Sequence, residues 1–138
     1  MKNRSLTRDY VLRATIRLDA LKVLFDKGGY ADVVREAQEI VELTSKALIR
    51  HLGAEPARVH DVSSQLSELR DRLQAEHSEE LDHLIANSRE LRRDRELAFY
   101  GTEDLTPSEF YSKDDAQRAF GHAARAVTFV TKAVNLAL

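Results

Sequence analysis

The sequence predicts an all-α protein, an antiparallel bundle of four or five helices. Three observations lead there. Only 5 Gly and 2 Pro occur in 138 residues, too few for the many turns of a sheet protein. Charged residues make up 32% and apolar residues 43%, a balance that suits amphipathic helices rather than disorder. Apolar residues also recur three and four apart over long stretches, the period of one helical face.

The first helix is expected from about Leu6 to Lys27, with Tyr10, Ala14, Leu18, Leu21 and Phe25 as its stripe. Gly28-Gly29 stops it, because Gly takes the left-handed cap without steric cost. The second is expected from about Ala31 to Leu52, its apolar face running from Val33 through Ile40 to Leu48. Gly53 ends it, and Pro56 supports a loop.

A third helix is expected to start near Asp61, which can cap it, and to continue through Val62, Leu66, Leu69 and Leu73. The fourth spans about Ser78 to Tyr100, with Leu81, Leu84, Ile85, Ser88 and Leu91 inward and Gly101 after it. Thr106-Pro107-Ser108-Glu109 reads as a capping box with Pro in the first turn, so one short turn is expected. Ser112 to Asp115 is a weaker version of that pattern and opens the last helix. Its stripe is Ala116, Ala119, Phe120, Ala123, Ala124, Val127, Val130 and Val134. No repeat or linker interrupts the chain, so residues 1–138 read as one domain.

Several functions are disfavoured at this stage. There is no cysteine, hence no disulfide framework and no thiolate zinc site. A reducing cytoplasm is the default. MKNRSLTRDY lacks the apolar run of a signal peptide, and no stretch approaches the roughly 20 apolar residues of a membrane span. A cytoplasmic protein without a membrane segment is expected. No Gly-rich phosphate loop and no GxSxG motif occur, and no cofactor is expected. His51, His60, His77, His83 and His122 include no pair three or four apart, so no metal site is expected. His60-Asp61 could suggest a metal-binding dipeptide, but it reads better as a loop residue followed by a cap.

Net charge is −2, so the molecule as a whole is no basic nucleic-acid binder. Charge is locally uneven, however. RELRRDR, Arg89 to Arg95, places four arginines on one helical stretch, enough to attract phosphate. Arg93 and Tyr100 lie seven apart and share a face pointing away from Leu84, Ser88 and Leu91. Arg95 falls inside that stripe, where it must pair with a carboxylate or lie at the open end of the bundle. The alternative is a solvated basic face with one structural ion pair. Glu39, Glu42 and Lys46 follow at steps of three and four, so they are neighbours on the second helix. They read as a structural polar cluster, and Glu42 could also meet an arginine of the fourth helix.

Four pieces of sequence carry a resemblance: RDYVLRATIRLDAL, GYADVVREAQEIVELTSKALIRHLG, VHDVSSQL and LRRDRELAFYG. Together they reach from roughly Asp9 to Val134. In them the chain resembles HEPN domains, small prokaryotic helical proteins often paired with nucleotidyltransferases. The second piece is the most specific, since periodicity would not dictate its AQE, VEL and KAL steps before Gly.

The resemblance implies an all-α up-and-down bundle that forms homodimers. Many such proteins are metal-independent endoribonucleases, and many are the toxin half of a toxin–antitoxin pair with a minimal nucleotidyltransferase. Their motif is an Arg, four to six residues, then a His, often followed by x-Tyr, facing a cleft between protomers. There the RNA 2′-OH attacks the adjacent phosphate, the imidazole transfers the proton and the guanidinium stabilises the charge.

This sequence departs from that motif at the decisive position. Aligned on the tyrosine it reads Arg93-x4-Ala98-x-Tyr100, with alanine in the place of histidine. Aligned on Arg95 it reads Arg95-x4-Tyr100. Tyrosine, with a pKa near about 10, is a poor base at neutral pH. Arg72-x4-His77 has the spacing but lies elsewhere and reads as chance. The expectation is therefore a toxin–antitoxin-type component that binds RNA or nucleotide through Arg92, Arg93, Arg95 and Tyr100, beside a nucleotidyltransferase partner, with a degenerate ribonuclease motif. An active metal-independent endoribonuclease, with Arg93, Arg95 and Tyr100 as candidate catalytic residues, is the first alternative. A purely structural interaction module is the second.

Overall fold

Two glycine-terminated helices set the frame. In the computed structural model, α1 spans Lys2–Asp26 and α2 spans Tyr30–His51. The model describes residues 2–100, 103 and 105–135, with side chains for 4–92, 103 and 105–135. Gly28 has φ 78° and Gly53 has φ 87°, the left-handed conformation that closes a helix C-terminus. After α1 the Gly29 N–H donates to Leu24 O at 2.9 Å and the Gly28 N–H to Phe25 O at 3.0 Å. After α2 the Ala54 and Gly53 N–H groups repeat the pattern onto Ile49 O and Arg50 O. Both are Schellman closures, which satisfy otherwise orphaned carbonyls.

The remaining described elements are α3 (Ser63–Glu68), α4 (Ser78–Tyr100), α5 (Pro107–Phe110) and α6 (Lys113–Ala133). Four long helices therefore form an all-α bundle. α2 lies at its centre and packs on α1, α4 and α6. Its wide apolar face is buried as expected, from Val33 and Val34 through Ile40 and Val41 to Leu48 and Ile49. α1 runs antiparallel to α2, and α4 to α6. Arg17 of α1 meets Glu36 of α2, while Tyr10 lies under Arg50. Glu80 and Glu90 of α4 meet Arg125 and Arg118 of α6, in reversed order.

The expected stripe of α4 holds at every position, with Leu81, Leu84, Ile85, Ser88 and Leu91 all buried. Thr106 caps α5, its hydroxyl accepting from Glu109 N–H at 3.3 Å. Ser112 and Asp115 form a complete capping box at the start of α6, although the sequence pattern there looked weaker. The α6 stripe is buried except at Phe120 and Ala124, which are half-buried, and Phe129 joins it.

Three expectations need correction. α1 starts at Lys2 rather than Leu6, since nothing in its polar first turn breaks a helix. Its core face centres on Val11, Ala14 and Leu21, while Tyr10, Leu18 and Phe25 pack at the core's edge. Leu12, Ile16 and Val23 point outward, so apolar residues surround this helix and blur its period. The third helix is only six residues long and does not run on to Leu73. Turns of 3-10 geometry follow at Arg70–Arg72 and Ala75–His77. Side-chain bonds compete with helix continuation there. Arg70 binds Ser78 and Asp82, and Arg72 Nη1 donates to Leu52 O at 3.0 Å. Asp61 lies one residue before the cap position, which Val62 holds without a side-chain cap, and its carboxylate accepts from the first N–H of α3 at Ser63.

Candidate functional site

Of the polar cluster expected on α2, Glu42 and Lys46 pair, and Gln38 and His60 join them. Glu42 lies one helical turn from both Gln38 and Lys46, so all three share a face. Lys46 Nζ donates to Glu42 Oε2 at 3.1 Å and Gln38 Nε2 to Oε1 at 3.4 Å. Glu39 is half-buried on the neighbouring position. Among the described residues, the one that reaches Glu42 from outside the helix is His60 rather than an arginine of α4. Its Nδ1 lies 2.8 Å from Glu42 Oε1, across 18 residues of sequence.

Burial pushes the Glu42 carboxyl up, but hydrogen bonds and positive charge from His60 and Lys46 outweigh it and hold the group below its ordinary range. Glu42 is therefore a carboxylate. An ionised carboxylate accepts, so His60 Nδ1 carries the proton and donates. The Glu42 side chain is 14% exposed and that of His60 46%. The pair thus joins a sheltered anion to an open imidazole.

The loop carrying His60 is tied at several points. Gln65 accepts from Ala57 N–H at 2.8 Å and donates to Glu55 O at 2.7 Å. Asp61 Oδ1 accepts from Ser63 N–H at 3.0 Å and from the Ser88 hydroxyl at 3.1 Å. Arg89 Nε then donates to Ser63 Oγ at 3.1 Å. These last bonds fasten the loop to the middle of α4, where the arginine run begins.

Arg92 follows Ser88 by one turn and is half-buried. The α4 backbone continues helically to Tyr100. The side chains of Arg93, Arg95 and Tyr100, on which the sequence argument leans, lie outside the described residues. Arg72 and His77 do not act together. The first is turned to Leu52 O, and the second packs its ring 5.8 Å from Phe129. Among the described residues no three His, Asp or Glu side chains gather where a metal could sit.

A second imidazole–carboxylate pair lies between α4 and α6. Arg118 forks onto both oxygens of Glu90 at 3.0 and 3.3 Å, and His122 Nε2 lies 3.2 Å from Glu90 Oε2. One end of α4 is tied likewise, with Arg125 forked onto Glu80 at 2.9 and 2.7 Å. Burial pushes His122 below its ordinary value. The cations Arg118 and Arg125 act in the same direction, and Glu90 opposes them. The ring borders a cavity of about 50 Å³ with Val34, Leu91 and Tyr111.

A bundle with its long central helix, its loop-borne His-Asp step and its arginine-rich fourth helix is now in place. The family model of the HEPN domain matches residues 7–133. The chain belongs to the HEPN family. No curated protein and no solved structure matches it. The resemblance read from the four sequence pieces thus holds over nearly the whole chain. No helix among the described residues of this HEPN protein is long and apolar enough to cross a membrane. The sequence did not reveal the His60–Glu42 pair. His60-Asp61 was visible as a dipeptide and Glu42 as part of a helix face, but no spacing rule connects a loop residue to a helix in another part of the chain.

Proposed function

We propose that this HEPN chain binds RNA or nucleotide phosphate at the arginine-rich end of α4. In this reading it acts as a homodimer, one component of a toxin–antitoxin-type pair whose partner is a nucleotidyltransferase. Residues 1–138 form one domain in it. Family membership over residues 7–133 supports the reading. So does the Arg92, Arg93 and Arg95 run, since guanidinium groups match phosphate with paired donors. One observation carries it further. Ala98 stands where the family's motif has histidine, so this end of α4 keeps the phosphate-binding groups without the proton-transferring one.

Binding of a single-stranded RNA oligonucleotide at increasing salt tests the reading. Log affinity is expected to fall with log salt by about 0.7 for each phosphate neutralised, and Arg93→Ala/Arg95→Ala to flatten that slope by about 1.4. RNA affinity that is absent, or indifferent to salt, would leave only a structural interaction module. Tyr100 is the proposed acceptor if the partner transfers a nucleotide to this protein. Intact mass after incubation with that partner and ATP should rise for the wild type and stay constant for Tyr100→Phe.

A further inference from the structure

The outer face of α1 carries three large apolar side chains that the bundle leaves uncovered. Leu12, Ile16 and Val23 are 43%, 59% and 54% exposed. They follow one another at steps of four and seven, so they align as one stripe along the helix. α1 buries its opposite face on α2 and α6, while α4, with its arginine run, is no substantial neighbour of it. We infer that this stripe is a self-association surface, on which a second copy of the chain lays its own α1 antiparallel, with Leu12 of one copy against Val23 of the other. The inference goes beyond the reading above, since it involves neither RNA nor the arginine-rich end of α4. The contact is separate from the protomer cleft expected beside the arginine run.

The flanking charges argue for a second copy as the occupant. Arg8 and Asp26 lie on one side of the stripe, Asp9 and Lys27 on the other. Each couple is separated by five full helical turns, which keeps its two members on the same side. All four are exposed, and none forms an ion pair with another described residue of the chain. A two-fold axis brings such a surface against itself. In an antiparallel pairing each side of the seam faces the same side of the second copy. With Leu12 opposite Val23, Arg8 comes within one residue of level with Asp26 of the second copy. Asp9 does the same with Lys27 of the second copy. Symmetry repeats both contacts, so four opposite-charge pairs bracket the apolar centre. A parallel pairing would instead set Asp19, which shares the stripe, directly against Asp19 of the second copy, and facing carboxylates repel. The antiparallel register sets Asp19 opposite Ile16 and steps the two carboxylates about 4.5 Å apart along the seam.

The area available sets the strength. From Arg8 to Lys27 the face is about 28 Å long. A helix–helix strip of that length covers roughly 500 Å² on each copy, about 1,000 Å² for the pair, which is the lower bound for a specific contact. The stripe therefore supports a reversible association with a Kd on the order of micromolar, rather than a permanent dimer. Its apolar residues supply the attraction, and the ion pairs at the rim set direction and register.

The test is disulfide trapping in the full chain, which has no cysteine of its own. Under mild oxidation, an equimolar mixture of Leu12→Cys and Val23→Cys should cross-link about tenfold faster than either variant alone. In the antiparallel register Leu12 lies about 16 Å along the seam from Leu12 of the second copy, beyond the reach of about 7 Å that a disulfide allows. Sedimentation equilibrium of cysteine-free variants checks the charges. Asp26→Lys should weaken the association about fivefold, and Arg8→Glu/Asp26→Lys should restore it, because the pair is then reversed rather than lost. Ile16→Glu should weaken it about 30-fold or more. These positions face outward, so melting temperatures should match wild type, and a folding defect could not produce the recovery of the double variant. Cross-linking of Leu12→Cys alone as fast as the mixture, no cross-linking at all, or a double variant as weak as Asp26→Lys overturns the inference. Any of these beside normal salt-dependent RNA binding leaves the reading above intact. Absent RNA binding beside the expected cross-link overturns that reading alone.

Discussion

Two hydrogen-bonded imidazole–carboxylate pairs among the described residues differ in which partner is sheltered. At the α2–loop edge the carboxylate is inside, with Glu42 at 14% exposure and His60 at 46%. At the α4–α6 edge the imidazole is inside, with His122 at 18% and Glu90 at 30%. Glu90 also takes a forked arginine, and His122 has Arg118 and Arg125 on its flanks. The second pair is thus one link in a ladder that ties two helices together. The first is a single ring presented to solvent by a fastened loop. The same two functional groups serve display in one place and cohesion in the other, and burial decides which.

The largest expected difference comes from deleting each ring. His60→Ala should lose little stability, since the ring is exposed and Glu42 keeps Lys46 and Gln38. His122→Ala should lower the melting temperature, since it removes a half-buried ring from the helix junction. Equal melting temperatures for the two variants would erase the distinction.

Asp61→Ala should come next. It removes the acceptor for Ser63 N–H and the Ser88 hydroxyl, at a cost of about 1 kcal/mol for each hydrogen bond. Urea unfolding would register that loss.

Acidity separates the pairs in a different way. His122 is held below its ordinary value of about 6.5, first by burial. The unfolded chain takes up that proton more readily than the folded one. Stability is then complete above about pH 6.5 and declines as pH falls below it. Glu42 and Glu90 are both held low, against an upward push from burial, by the hydrogen bonds and charges of their basic partners. Their contribution is present above the ordinary carboxylate value and is lost as pH falls through the lowered ones. Urea midpoints from about pH 8 to about pH 2 should therefore decline in two stages, the second below the ordinary carboxylate value, and His122→Gln should remove the first.

The smallest effect is expected at Glu80–Arg125. Both groups are exposed, and salt screens such pairs. Arg125→Ala should lower the melting temperature slightly at low salt and not measurably near 1 M salt.

Much of this architecture was legible because it is local. The five inward residues of α4 follow from one helical period, and Gly28 and Gly53 mark their helix ends because their conformation excludes other residues. Local rules were weaker where residues from elsewhere intervene. The chain from Leu69 to His77 keeps an apolar spacing, but Arg70 and Arg72 are drawn to Asp82 and Leu52 and the helix stops. In α1 the outward Leu12, Ile16 and Val23 hid which face is buried. The arginine run was legible because its residues share a helix, and the His60–Glu42 contact was not. His60 and Glu42 meet only after the bundle has assembled.

The amide of Gln65 grips the loop on both sides of Pro56, accepting from Ala57 and donating to Glu55. That grip works as a ruler. It fixes how much chain remains between Ala57 and His60 and so sets the reach of the ring. A residue inserted there would carry the imidazole past Glu42 and leave every core helix in register. Segment length, rather than the identity of any side chain, is then the variable that tunes this edge independently of the bundle beneath it.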